Sequence, residues 1–273
     1  MKEAVYETFG GEGEPLLFAH ANGYPPGSYR SLFRALEQRF TIGALEHRPL
    51  WAGRQPPERL HWQLFVDDML KGMEAHFDEP VWVMGHSMGG TIAALAALRE
   101  PERFKGLVLL DPVFLPDRHA LPARFMPRSR AEKMPMIRRA LARPEYFASH
   151  DEAFAFYRGK RAFHGLSDEA LRHYVEASKA PTDDGRVQLR FSPAWEAAIY
   201  RSAPSVRRLL KRLSVKIVAL RGRDSDTLSP LMWQRLQHLQ PRGGFAEVPG
   251  GHLFPLEHPR ETAEAAVELI FSS

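Results

Sequence analysis

Cysteine is absent from this 273-residue chain, and asparagine occurs once, at Asn22. Without cysteine there is no disulfide framework and no thiolate metal site, and the redox compartment leaves no mark. Nowhere do about 18 apolar residues follow one another, so no membrane-spanning helix is expected. The opening residues Met1-Lys2-Glu3-Ala4-Val5-Tyr6 form no apolar signal segment, which makes a cytoplasmic location the expectation. The histidines lack His-Glu-x-x-His or similar ligand spacing, so neither metal nor cofactor is expected. No nucleic-acid-binding motif accompanies the basic residues. Scarce asparagine, no cysteine and 22 prolines lean toward heat tolerance, a bias that a G+C-rich genome also produces.

What is present is ordinary in bulk and specific in detail. Hydrophobic residues make up 44% and charged residues 26%, the balance of a globular chain large enough to bury a substantial core. Apolar runs and helical patterns alternate from residue 16 to 110 and again from 215 to the end. Strands separated by helices of about 10–15 residues point to a parallel, doubly wound α/β sheet.

The sharpest feature is Gly85-His86-Ser87-Met88-Gly89. The run 81–84 before it reads as a buried strand, and the Ala- and Leu-rich run 91–98 after it as a buried helix. Strand, tight turn and helix is the setting in which G-x-S-x-G stands a serine hydroxyl clear of the sheet. The helix N-terminus beneath it offers N–H groups to a developing oxyanion. A serine hydroxyl is a poor nucleophile until a base takes its proton. Imidazole titrates near neutrality and can take and return that proton. A carboxylate fixes the imidazole tautomer and stabilises the imidazolium. Both further types follow, each in a loop just past a predicted strand, where open α/β sheets build their sites. After strand 215–220 comes a polar loop with Asp224 and Asp226, two apart and therefore on one side of an extended backbone. After strand 245–248 comes Pro249-Gly250-Gly251-His252. Upstream, strand 16–19 runs into His20-Ala21-Asn22-Gly23, where Asn22 is the candidate for one oxyanion N–H and Met88 for the other.

These segments resemble the α/β-hydrolase fold family, in particular its serine carboxylesterase and lipase-like members. His20 to Gly23 resembles the family's His-Gly oxyanion motif, Gly85 to Gly90 its nucleophile elbow and Gly251-His252 its terminal histidine loop. Ala21 stands where the family usually has glycine. The resemblance implies Ser87 as nucleophile, His252 as base and the 221–229 segment as acid loop. The Ser-Asp-x-Leu-Ser pattern of some members favours Asp226 over Asp224. It also implies a hydrolase core over 1–111 and 206–273, with a mainly helical cap over 112–205 covering the mouth of the sheet. The implied reaction is hydrolysis of a small-molecule carboxylic ester through an acyl-enzyme. An acyl thioesterase, or a hydrolase-fold protein that binds a small ligand with little turnover, would carry the same residues. A serine at the elbow argues against the haloalkane dehalogenases and epoxide hydrolases of this fold, which use aspartate there. Residues 112–212 hold 20 Lys or Arg against 11 Asp or Glu, whereas the remainder holds 17 against 22. Such a basic segment attracts anionic substrates or surfaces, or is simply a solvated face.

Overall fold

The computed structural model describes residues 5–51, 55–114, 128–204 and 210–272. Within them lies a seven-stranded sheet: β1 (Tyr6–Gly10), β2 (Glu14–Ala19), β3 (Phe40–Leu45), β4 (Val81–His86), β5 (Phe104–Leu110), β9 (Lys216–Gly222) and β10 (Gly244–Val248). The spatial order is β1-β3-β2-β4-β5-β9-β10. Only β1 runs antiparallel, against β3; the other pairings are parallel. The amino-terminal β1, with its bulge between Thr8 and Gly10, has no counterpart among the sequence expectations. Its alternation of half-buried and exposed residues is that of an edge strand, a weak pattern in so short a segment.

Strand periodicity divides the core. Leu17, Val83, Leu107, Leu109 and Ile217 face α2 (Gln63–His76) and α3 (Met88–Arg99). Leu16, Phe18, Met84, Val108, Leu110 and Val218 face α1 (Arg30–Leu36) and the last helix, Pro259–Phe271. Successive residues thus serve opposite faces. Because both faces are covered, β4 is buried at every position, which explains its unbroken apolar run. Each fully buried leucine here contributes about 1.5–3 kcal/mol relative to exposure.

Chain direction through the sheet reverses beside β2: β3 lies on one side of it and β4 on the other. Loops that leave β2 and β4 therefore diverge and open a crevice at the carboxyl edge, where ligands of such sheets bind. Residues 20–23 and Ser87 leave from these two strands.

Between β5 and β9 the chain inserts α4 (Arg128–Ala131), α5 (Pro135–Leu141), β6 (Tyr146–Phe147), α6 (His150–Arg158), α7 (Asp168–Ser178), β7 (Lys179–Pro181), β8 (Val187–Leu189) and α8 (Pro193–Ser202). Serines 149, 167 and 192 cap three of these helices by accepting from the N–H groups of Glu152, Ala170 and Trp195. The three short strands form an antiparallel sheet in the order β6-β8-β7, with Gly185 (φ +81°) in the turn between β7 and β8. The insertion has a small cluster of its own, Ala131, Ile137, Ala140 and Ala197, but most of its buried side chains join the two main layers. Leu171, Tyr174 and Val175 join the layer under α1, while Trp195, Ala198 and Ile199 join the layer under α2. Residues 115–127 and 205 of the expected 112–205 segment fall outside the described residues. The remaining helices are α9 (Pro230–Leu239), α10 (Phe254–Glu257) and α11 (Pro259–Phe271).

Candidate active site

Ser87 occupies the turn between β4 and α3 with φ +54° and ψ −116°, a conformation that L-residues adopt only under constraint. Its N–H donates to Leu110 O at 2.9 Å, and its carbonyl accepts from Thr91 N at 3.2 Å. Close backbone approach is what the flanking glycines allow. A Cβ on Gly89 would lie 2.0 Å from Ala19 O, and one on Gly85 would lie 2.5 Å from Gly90 N. The first turn of α3 is thereby pressed against the carboxyl end of β2. Ser87 begins α3, so the N–H of Met88 belongs to the first turn, whose donors have no partner within the helix.

His252 follows β10 through Gly250 (φ +96°). Its Nε2 lies 2.9 Å from Ser87 Oγ. Its Nδ1 lies 2.6 Å from Oδ2 of Asp111, a carboxylate with no solvent exposure. With Nδ1–H donating to the carboxylate, Nε2 is left to accept the serine proton. Three side chains from distant parts of the chain therefore make one hydrogen-bonded line.

The carboxylate in that line is neither Asp226 nor Asp224, and the expectation of Asp226 is corrected here. Both residues are exposed, and among the described residues Asp226 Oδ1 accepts from its neighbour Thr227 Oγ1, at 3.4 Å. They do share a face, as residues two apart do in extended chain, but that face is the solvent one. Ser225 between them points inward, and its hydroxyl donates to Asp111 Oδ2. The loop also braces the histidine segment through its backbone: Arg223 N donates to Val248 O at 2.9 Å and Asp224 N to Gly250 O at 3.0 Å. Arg221 holds the loop from below, donating to Leu228 O at 2.7 Å and to Ser225 O at 3.3 Å.

Asp111 is the residue that sequence reasoning missed. It ends the run Leu107-Val108-Leu109-Leu110 just as Ser87 ends Val81 to His86, and β4 pairs with β5 so that His86 faces Leu110. The two residues therefore leave adjacent strands at the same level. Asp111 has φ +43°, the only other positive value among described residues besides Ser87 and glycines. An aspartate directly abutting a buried apolar strand was the available signal.

At the oxyanion loop, Asn22 is nearly buried and its Nδ2 donates to the carbonyl of Glu196 on α8, at 3.2 Å. Gly23 (φ +79°) packs under the ion pair of Arg143 and Glu196. Arg143 also donates to Tyr174 Oη at 2.7 Å and Tyr157 Oη at 3.3 Å. The insertion thus rests directly on the loop that follows β2.

Three further histidines surround the site, all buried. His20 Nδ1–H donates to Ala21 O at 2.8 Å, and its Nε2 accepts from His47 N at 3.0 Å. His47 Nε2–H donates to His20 O at 3.1 Å. Burial holds His20 and His86 well below the usual imidazole range and pushes His47 down to about 4. They are neutral structural groups at pH 7. With both ring nitrogens spent on hydrogen bonds, His20 and His86 are poor ligands. Among the described residues no group of three or more His, Asp or Glu could hold a metal ion. Nor is any helix among them long and apolar enough to cross a membrane.

Residues 16–265 match the model of the Alpha/beta hydrolase family. Monoglyceride lipase of Rattus norvegicus is 33% identical over 113 residues, which covers 38% of this chain and 37% of that protein. The chain thus spans well under half the length of the lipases it matches. A serine hydrolase-like protein of Danio rerio is 23% identical over 268 residues, or 94% of this chain and 82% of that protein. Among solved structures, E-2-(acetamidomethylene)succinate hydrolase superposes with a TM-score of 0.82 at 20% identity, covering 98% of this chain and 95% of that one. At such identity the likeness is one of fold. The family model spans nearly the whole chain, from β2 into the closing helix, and the chain belongs to the Alpha/beta hydrolase family.

Proposed function

We propose that this protein is a serine hydrolase that cleaves carboxylic esters through an acyl-enzyme. The observation that carries this reading is His252, which lies 2.9 Å from the Ser87 hydroxyl on one side and 2.6 Å from the buried Asp111 carboxylate on the other. Ser87 Oγ attacks the acyl carbon as His252 Nε2 takes its proton. The negative charge that develops on the carbonyl oxygen is held by the N–H groups of Met88 and Asn22. Asp111 stabilises the imidazolium, which then protonates the departing alcohol. Water attacks the acyl-enzyme by the same route and restores the serine. The insertion between β5 and β9 acts as a cap: its Glu196 and Arg143 lie over the oxyanion loop and limit access of water to the acyl group.

A series of p-nitrophenyl esters of increasing chain length, run beside short-chain acyl-coenzyme A thioesters, tests the reaction class. Hydrolysis of the esters, with covalent labelling by a fluorophosphonate that disappears in Ser87→Ala, is the expected result. Ser87→Ala should lower kcat by about a thousandfold or more. Tight ligand binding without turnover of any ester, and no labelling of the native protein, would overturn the reading.

A further inference from the structure

Two buried residues connect the parts of the site that lie on opposite sides of Ser87. Tyr29 ends the 3-10 turn Pro26–Tyr29 and is fully buried. His86 is the residue before the nucleophile and is also fully buried. The Ala21 N–H donates to Tyr29 Oη at 3.3 Å. Tyr29 Oη lies 2.8 Å from His86 Nδ1, and His86 Nε2 lies 2.9 Å from the backbone carbonyl of His252.

Only one arrangement of protons satisfies all three contacts. A carbonyl can only accept, so His86 Nε2 carries the hydrogen. The neutral ring then accepts at Nδ1, and the tyrosine hydroxyl donates to it. That leaves the tyrosine oxygen to accept from Ala21. Each group is spent once and the chain has a single direction. Protonating His86 would reverse the Tyr29 contact and place a cation beside the His252 ring, whose centroid is 4.9 Å away. Burial keeps His86 neutral.

The ends of this chain are functionally distinct. Ala21 precedes Asn22, so anchoring its N–H orients the strand end from which the proposed oxyanion donor projects. The carbonyl of His252 belongs to the residue whose ring serves as base. We propose that Tyr29 and His86 are positioning residues, which together hold the oxyanion loop and the backbone of His252 at one fixed separation across the nucleophile elbow. The role rests on the esterase reading above. A misplacement of about 1 Å can cost up to ~10²-fold in rate, so loss of the link is read in the chemical step rather than in binding.

The test uses the full chain and a fluorophosphonate probe, which needs only the nucleophile, the base and the oxyanion donors. Inactivation is analysed as kinact and KI for the native protein, Tyr29→Phe, His86→Gln and the double variant. Thr262→Val serves as a control: it deletes a buried hydroxyl that bonds His258 O at 2.7 Å in α11. Tyr29→Phe and His86→Gln should each lower kinact by about tenfold with KI changed less than about twofold. The double variant should be no slower than the slower single one, because breaking one link already opens the chain. Thr262→Val should lower the melting temperature and leave kinact unchanged. If Tyr29→Phe also lowers only the melting temperature, or if the two losses multiply, the positioning role is wrong while the esterase reading stands. If the native protein is not labelled at all, that reading falls and the positioning role falls with it. Should His86→Gln not fold, Tyr29→Phe, which removes one oxygen and keeps the ring, decides alone.

Discussion

At the scale of single residues, the site turns on which carboxylate faces His252. Asp111 is buried, φ-strained and bonded to the imidazole, whereas Asp226 is exposed and bonded within its own turn. Asp111→Asn should therefore lower kcat on a p-nitrophenyl ester by about 10³–10⁴-fold, because the amide cannot hold the required tautomer. Asp226→Asn should change it by less than about twofold. Steady-state kinetics on the two variants, with circular dichroism to verify folding, checks the pair. The comparison also shows what was legible. Ser87 and His252 could be read from sequence because glycines mark both turns and each follows an apolar strand. The acid could not, because Asp111 lacks flanking glycines and looks like the polar end of a strand. Its partnership depends on β5 lying between β4 and β9, a matter of strand order that local pattern does not encode.

At the scale of elements, the alternation of apolar strands and amphipathic helices made the doubly wound sheet legible over residues 16–110 and again from 215 to the end. Less was legible in the insertion, where β6 and β7, of two and three residues, carry too little periodicity to read. Its interior holds Lys179, only 3% exposed, at the start of β7. The Nζ lies 4.6 Å from the centroid of the Tyr157 ring and 5.3 Å from that of Tyr174, and it donates to Ser178 Oγ at 2.8 Å. Burial, and secondarily the charge of Arg143, lowers its pKa to about 7 from the ordinary 10.5. A depressed folded-state pKa means that the unfolded chain binds more protons between these two values, so stability rises with pH across that window. The contribution is complete above the unfolded pKa and is lost as pH falls through the folded one. Lys179→Met should remove this slope: relative to the native protein, its melting temperature should be highest near pH 6 and the difference should shrink toward pH 10. Thermal unfolding at pH 6, 8 and 10 reads the effect, and parallel profiles for the two proteins would contradict it.

At the scale of the whole molecule, charge is unevenly spread. The segment 112–212 carries nine more basic than acidic residues, whereas the rest of the chain carries five more acidic than basic ones. Some of the basic surplus is neutralised by pairing across to the core, as in Arg190 with Glu46. A basic surface of this kind attracts anionic substrates through its summed field. The kcat/KM of a carboxylate-bearing ester should fall as salt rises from about 10 mM to 0.5 M, over which the screening length drops from about 30 Å to a few ångströms. A neutral ester of equal size should change little. Equal salt dependence of the two would show that the basic surface is only solvated.

Two of the three side chains in the hydrogen-bonded line begin where neighbouring strands end, and the third rides on a glycine turn. The backbones of Ser87 and Asp111 are therefore as firmly spaced as the ladder between β4 and β5. The imidazole is carried to the line by the short segment 249–253, with Gly250 in the left-handed region, so a ligand or neighbouring segment that parts His252 from Ser87 without opening the sheet acts on that turn.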